Sequence, residues 1–456
     1  MKKVLFVSHS KRGSHYYMDA SARYRCVFPA ENLHQLGITA HVVHVSQISH
    51  INLSDYQYLI AHRPQNNRQL RHYIAQARAA GVICIADFDD LLFTPDSADQ
   101  SPAVLSGTMP VREAKRQAGK YKEGLALFDR CWVSTMPLVE KVNKYFPEME
   151  VTFIPNKIPQ RWATVEMLPA QERLQNKLIR YLPGTSHHKH DFALIEALLC
   201  RILRENPDIH LEVVGCLDIN EDKFPPGQLS RLNFMIYEDL ADEIARSWIT
   251  IAPLSANKFN RCKSGLKFWE SGIFGVPVIS SPLPDAERLK NDGLIICNSP
   301  DEVIATVADL QDKEKYLNAS QCAQKAAQQA VLNETDERIS YLNITALITS
   351  ANTVTAENWQ QNKFQSNYMT ALYGAEWPAK LLDPTTPEQN QVAKSLKNIP
   401  EVSSVEAEEV ETYRRKAEQR KSMDMNHVKT SRVKRKFRKL YRTPGMFFRD
   451  LFKKHL

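Results

Sequence analysis

Short apolar runs alternate with amphipathic stretches of helical period from the first residues to about residue 330, and this restricts the chain to an α/β architecture with parallel sheets. Val4–Ser8 is such a run, ending in a polar loop; Ala20–Leu36, apolar at 27, 30, 33 and 36, is predicted to be a helix stopped by Gly37. Further strands are expected at Ala40–Val45, Tyr58–His62, Val82–Asp87, Cys131–Ser134 and Val151–Ile154. Helices are expected near Gln65–Ala80, Val111–Phe128 and Met136–Tyr145. A polar stretch to Gln175 separates this series from a second one. There the expected strands are Leu178–Leu182, His210–Gly215, Asn233–Tyr237, Ile249–Pro253, Val276–Ser280 and Leu294–Cys297. The helix Asp191–Glu205 carries Phe192, Ile195, Leu198, Leu199 and Ile202 on one face. The fold class is therefore two doubly wound domains in tandem, residues 1–160 and 170–330, facing a cleft.

In parallel sheets the working residues sit in loops beyond the carboxyl ends of the strands. In the first series these loops read SHSKRGSH, HRPQNN, DFDDLLF and STMP, all polar. The second series contributes Lys263–Gly275, KSGLKFWESGIFG, with Leu266, Trp269 and Ile273 at helical spacing and the apolar strand VPVIS directly after it. Asn260, Arg261 and Lys263 precede this helix, Ser264 and Gly265 open it, and Lys267 and Glu270 lie one turn apart. A helix start beside two lysines suits a diphosphate, and Glu270 suits a sugar hydroxyl; the plainer alternative is a solvated Lys-Glu face.

Composition excludes several classes. Eight cysteines, at 26, 84, 131, 200, 216, 262, 297 and 322, show no paired short spacing, which argues against a zinc site or a secreted disulfide framework and for a reducing cytosol. No apolar stretch approaches the length of a membrane span, and the opening MKKVLFVSHS has too short an apolar run for a signal peptide. No Gly-x-Gly-x-x-Gly or Walker sequence is present. Net charge is +7, but Glu411–Leu456 holds 16 of the 59 Lys/Arg and only 4 of the 52 Asp/Glu. The body is thus slightly acidic and the tail strongly basic, the pattern of a tethered catalyst rather than of a nucleic-acid-coating protein.

Asp87, Asp89 and Asp90 follow the fourth expected strand. They are read as cleft-facing carboxylates that bind a substrate hydroxyl or take its proton, as a metal-binding Asp-x-Asp, or as caps of the next turn. His187, His188 and His190 flank Lys189 at the start of the Asp191 helix, where they serve as a metal cluster, as donors to phosphate or sugar, or as solvated side chains. Arg23, Arg25 and Arg63 bind an anionic substrate, steady the carboxylates, or are ordinary surface charge.

Taken in order, these pieces resemble the GT-B glycosyltransferases that use nucleotide-sugar donors, particularly bacterial surface-polysaccharide members. The matching segments are SARYR (Ser21–Arg25), HRP (His62–Pro64), ADFDDLLF (Ala86–Phe93), Ser134–Thr135, Ile154–Asn156, Tyr181–Phe192, Leu211–Gly215 and the stretch from Pro253 through the VPVISS strand. The resemblance implies that Glu270 binds the donor ribose, that Asn260, Lys263, Ser264 and Lys267 hold the diphosphate, and that Gly184, Thr185, His188 and Lys189 approach the phosphates and donor sugar. It implies an acceptor side in the first domain, with Arg23, Arg25 and Arg63, and catalytic candidates in Asp87, Asp89, Asp90 and His188. Many relatives carry a second glutamate eight positions before the ribose-binding one; Cys262 stands there here, which puts a retaining mechanism in doubt. The implied activity is transfer of a sugar to a growing, lipid-linked glycan with no cofactor and no metal. A catalytically inactive scaffold and a nucleotide-sugar epimerase are the alternatives.

Residues 331–382 are expected to be a helical extension packed on the body, and 383–411, rich in Pro, Thr, Gln and Glu, a flexible linker. In the tail, 412–456, Val433, Phe437, Leu440 and Tyr441 form one apolar stripe and Phe447, Phe448, Leu451 and Phe452 another, with basic residues on the other faces. Such segments lie in the interface of anionic membranes. The RTPGMFFRD portion is similar to tails of bacterial capsule-type transferases, which implies docking on the inner membrane from the cytoplasm; a partner-binding helix and a nucleic-acid arm are the other readings.

Overall fold

Both series of apolar runs form six-stranded, all-parallel sheets. In the first, strands β1 (Val4–Ser8), β2 (Ala40–His44), β3 (Tyr58–His62), β4 (Ile83–Phe88), β5 (Arg130–Val133) and β6 (Glu150–Phe153) lie in the order β2-β1-β3-β4-β5-β6. In the second, β7 (Leu178–Tyr181), β8 (His210–Val214), β9 (Leu229–Leu232), β10 (Ile249–Ala252), β11 (Val278–Ser280) and β12 (Leu294–Ile296) lie in the order β12-β11-β10-β7-β8-β9. The coordinates are a computed structural model that describes residues 3–332 apart from 14–15, 17–18, 36–37, 184–188, 216 and 233–236. The chain divides into two units, Met1–Pro384 and Thr385–Leu456, and every described residue belongs to the first. The expected linker and tail lie outside the described residues, as does the expected extension beyond Leu332.

The central strands β1 and β3 are buried along their whole length because helices cover both faces, which is why they read as unbroken apolar runs rather than alternating ones. Register then aligns the chemistry. Ser8 pairs with His44 and His62, His62 pairs with Asp87, and Asp87 with Trp132, so one row of polar side chains runs along the carboxyl edge of the first sheet. The strand order reverses direction between β1 and β3 in the first sheet and between β7 and β10 in the second, and the loops at these switch points form the natural crevices for ligands.

Three elements differ from the sequence reading. The strand expected at Asn233–Tyr237 lies outside the described residues up to 236; strand β9 ends at Leu232, and Tyr237 opens the helix Tyr237–Ala245. Tyr237 goes into the core instead, stacked on Trp162 with ring centroids 4.5 Å apart, and β9 is an edge strand whose Ser230 and Arg231 are exposed, which masks its period. The helix expected to open at Ser264 and Gly265 runs from Leu266 to Gly272, after a 3-10 turn at Asn260–Cys262. Gly265, just before it, donates its N–H to the buried Asp285 carboxylate at 2.7 Å, so the helix opening is already occupied by an internal anion. Finally, the Ala20–Leu36 helix widens into a π-helical turn at Arg23–Val27, whose five side chains are all buried. Wider turns of this kind often mark functional sites.

Candidate functional site

Arg25 is fully buried within the π-helical turn. Its guanidinium pairs with Asp87 through Nη2 at 2.6 Å and Nε at 2.9 Å, while Nη1 donates to the Ile154 carbonyl at 2.6 Å and to Asn156 Oδ1 at 3.1 Å. Burial alone would lower the guanidinium pKa, but the Asp87 charge and hydrogen bonds outweigh it and raise it. Asp87 is itself 0% exposed, so this carboxylate ties the first helix to β4 and β6 and cannot reach a substrate. Arg25 and Asp87 thus form a buried scaffold beneath the outer carboxylates.

Asp89 stands one layer outward. It accepts from Ser21 Oγ at 2.6 Å and Arg63 Nε at 2.6 Å and lies 3.3 Å from His62 Nε2, which is also 2.9 Å from Ser21 Oγ. Burial would raise its pKa, but Arg63 and then His62 hold the carboxyl well below the usual carboxylate range. Arg63 has φ of 52°, the left-handed region that a non-glycine residue rarely enters, and its N–H bonds the Asp87 carbonyl at 2.8 Å. That conformation turns the guanidinium so that Nη2 also reaches Asp90 Oδ2 at 2.8 Å. Arg23 packs its guanidinium over the Tyr237 ring at 4.4 Å.

The second domain meets this cluster directly. Lys263 Nζ bonds the other Asp90 oxygen at 2.8 Å. Glu270, 3% exposed, accepts from Lys267 Nζ at 2.8 Å on one oxygen and from the Tyr24 hydroxyl on the other. Two further contacts fix the same junction: Thr135 Oγ1 donates to the Cys262 carbonyl at 3.0 Å, and the Lys258 N–H donates to Gln100 Oε1 at 2.7 Å. Lys263 thus meets Asp90, and the Lys267–Glu270 pair meets Tyr24, with half-buried Ser264 between the two lysines in sequence.

Two other expected ligands serve different ends. Asn260, 1% exposed, donates to Ser255 Oγ at 3.0 Å and to the Ser255 carbonyl at 3.1 Å, and Asp191 accepts the Ser255 N–H at 3.0 Å, so both hold the loop after β10 in shape. Lys189 pairs with Asp218 at 2.8 Å in an exposed ion pair. Gly184, Thr185 and His188 lie outside the described residues. Among the described residues no group of three or more His, Cys, Asp or Glu is arranged to hold a metal ion, and the Asp-x-Asp reading loses its first member to Arg25.

Ser21, Tyr24 and His62 were not singled out by sequence reasoning. Ser21, Tyr24 and His62 stand within the quoted SARYR and HRP segments, but the partners that make them part of the site lie 27 to 246 residues away, and local spacing carries no trace of them.

Two parallel, doubly wound sheets with contacts between loops beyond their strands are the architecture of the chain, which is the GT-B class of fold. No protein-family model matches the chain, and no curated protein is similar to it. Among solved structures, a glycosyltransferase from Rickettsia africae ESF-5 superposes with a TM-score of 0.52 at 10% identity, covering 75% of this chain and 97% of its own. Anabaena Alr3699/HepE, solved with UDP-glucose, gives 0.47 at 16% identity over 76% of this chain and 100% of its own. The pneumococcal O-GlcNAc transferase GtfA, solved with UDP and GlcNAc, gives 0.47 at 11% identity over 66% and 60%.

Proposed function

We propose that this chain is a glycosyltransferase that moves a sugar from a nucleotide-sugar donor to a growing, lipid-linked bacterial surface polysaccharide. The observation that carries the reading is that two contacts join the domains here: Lys263 meets Asp90, which Arg63 holds, and buried Glu270, paired with Lys267, meets Tyr24. In this reading Glu270 accepts hydrogen bonds from the ribose, with Lys267 fixing its orientation. Lys263 neutralises the diphosphate as charge grows on the leaving group, and the closed junction excludes water. Asp90, held by Arg63, accepts the hydroxyl of the incoming sugar; Asp89, held by Ser21, Arg63 and His62, fixes the electrostatics beneath it. No metal or cofactor enters the scheme, and the basic tail holds the enzyme on the anionic cytoplasmic face of the inner membrane.

The test is release of nucleoside diphosphate from a panel of nucleotide-sugars, with and without added glycan. Lys263→Ala is expected to lower turnover more than it weakens nucleoside binding, and excess chelator is expected to leave turnover intact. A rate abolished by chelator and restored only by magnesium or manganese would contradict the metal-free scheme. An equal loss of affinity for a nucleoside lacking phosphates would remove Lys263 from the diphosphate.

A further inference from the structure

We propose that Tyr24 and Asp90 stand in for the donor in the free protein: the Tyr24 hydroxyl occupies the place of a ribose hydroxyl on Glu270, and the Asp90 carboxylate that of a phosphate on Lys263. The inference rests on the donor-site reading above. Each contact crosses from the first domain to the second, and each reproduces the chemistry of the ligand group it would yield to, a neutral hydroxyl donating to a carboxylate in one case and an oxyanion on an ammonium in the other.

The environment of each group explains why a stand-in is needed. Glu270 is 3% exposed, and without Tyr24 one of its oxygens would sit in a desolvated pocket with no donor. Tyr24 is held for this purpose, with its ring edge-on to Phe28 and to Tyr237, both at 5.6 Å between centroids. Burial, and then the charge of Glu270, push the phenol well above its ordinary pKa, so it remains a donor at any physiological pH. Asp90 divides its oxygens between Arg63 and Lys263, each at 2.8 Å, and keeps the Arg63 bond when Lys263 is taken.

Two consequences follow from exchange of like for like. A complete nucleoside diphosphate replaces both contacts at once, whereas a nucleoside or a phosphate alone replaces one and leaves the other clasp shut, which sharpens selection for the intact donor. Donor entry also strips Asp90 of Lys263, so the oxygen that meets the acceptor hydroxyl becomes available after the donor is seated.

Removing a stand-in destabilises only the free state, so it should tighten donor binding, the opposite of removing a ligand contact. The experiment is calorimetric titration of the full chain with UDP, GDP, ADP and CDP, using wild type, Tyr24→Phe, Glu270→Gln and the double variant. Tyr24→Phe keeps the packed ring and is expected to bind the preferred nucleotide roughly three- to ten-fold more tightly. That gain should vanish in the Glu270→Gln background. In parallel, a gain from Asp90→Asn should vanish in Lys263→Ala, which separates the specific pair from a general change in charge. Unchanged or weaker binding by Tyr24→Phe, with Glu270→Gln still impaired, would overturn the stand-in while leaving the donor site in place. Failure of every nucleotide to bind, or full affinity in Glu270→Gln, would overturn the donor-site reading and the inference with it.

Discussion

At the scale of single residues, the site rests on charges that have been withdrawn from water in pairs. Arg25 and Asp87 are both fully buried, and removing one partner leaves the other as an uncompensated charge. Arg25→Leu is therefore expected to lower unfolding stability by about 3–5 kcal/mol in denaturant titration. A midpoint near that of the wild type would show that the pair does not hold the first helix to the sheet. Acid sensitivity has two sources with different windows. Burial, and then the nearby His62 and His44, push the His9 ring from 6.5 down to about 3, so it stays neutral in the fold while the unfolded chain takes up a proton below about 6.5. Stability is then lost as pH falls from about 6.5 toward 3. Asp89, with a depressed pKa, contributes stability that is present above its unfolded value and lost only as pH falls below about 4. His9→Gln should flatten the loss between pH 6.5 and 4.5 by on the order of 1–2 kcal/mol, less than the full shift implies because the ring keeps some contact with solvent. An unchanged stability profile across that window would assign the acid sensitivity elsewhere.

At the scale of elements, the loop after β3 is set by the helix Val111–Leu125 behind it. Gly124 lies so close to this loop that an added Cβ would stand 2.4 Å from the Pro64 carbonyl oxygen and 3.0 Å from the Asn66 nitrogen. Gly124→Ala should cost roughly 1–3 kcal/mol and displace the neighbouring Arg63 from its bonds to Asp89 and Asp90. Stability and turnover both equal to wild type would show that the loop tolerates the shift. Most of the strand framework was legible because a strand covered on both faces must be apolar throughout, as Val4–Ser8 and Tyr58–His62 are. β9 left no apolar run to read because an edge strand has no such requirement, and the Leu266–Gly272 helix starts later than expected because its expected opening at Gly265 is bent to serve Asp285. The π-helical turn left no periodic signature to find. Loop positions of the site were legible from topology, since ligand-facing side chains gather beyond strand ends. Their pairings were not, because Tyr24 with Glu270 and Asp90 with Lys263 are made by the approach of two domains.

At the scale of the whole molecule, no helix among the described residues is long and apolar enough to cross a membrane. Attachment is instead proposed for residues 412–456, which lie outside the described residues and carry most of the basic excess. A chain ending at Leu382 is expected to keep its donor affinity yet fail to co-sediment with anionic vesicles, while the full chain pellets with them in a manner weakened but not abolished by salt. Equal pelleting of both forms would pass the anchor to the body. The account as a whole depends on one claim, that the junction of the two sheets binds a nucleotide-sugar through Glu270 and Lys263. Calorimetric titration of nucleotide-sugars into the full chain tests it most directly. The prediction is saturable binding of one donor per chain, weakened by roughly 1.5–3 kcal/mol in Glu270→Ala with the fold retained by circular dichroism. Equal affinity in the wild type and Glu270→Ala would contradict it.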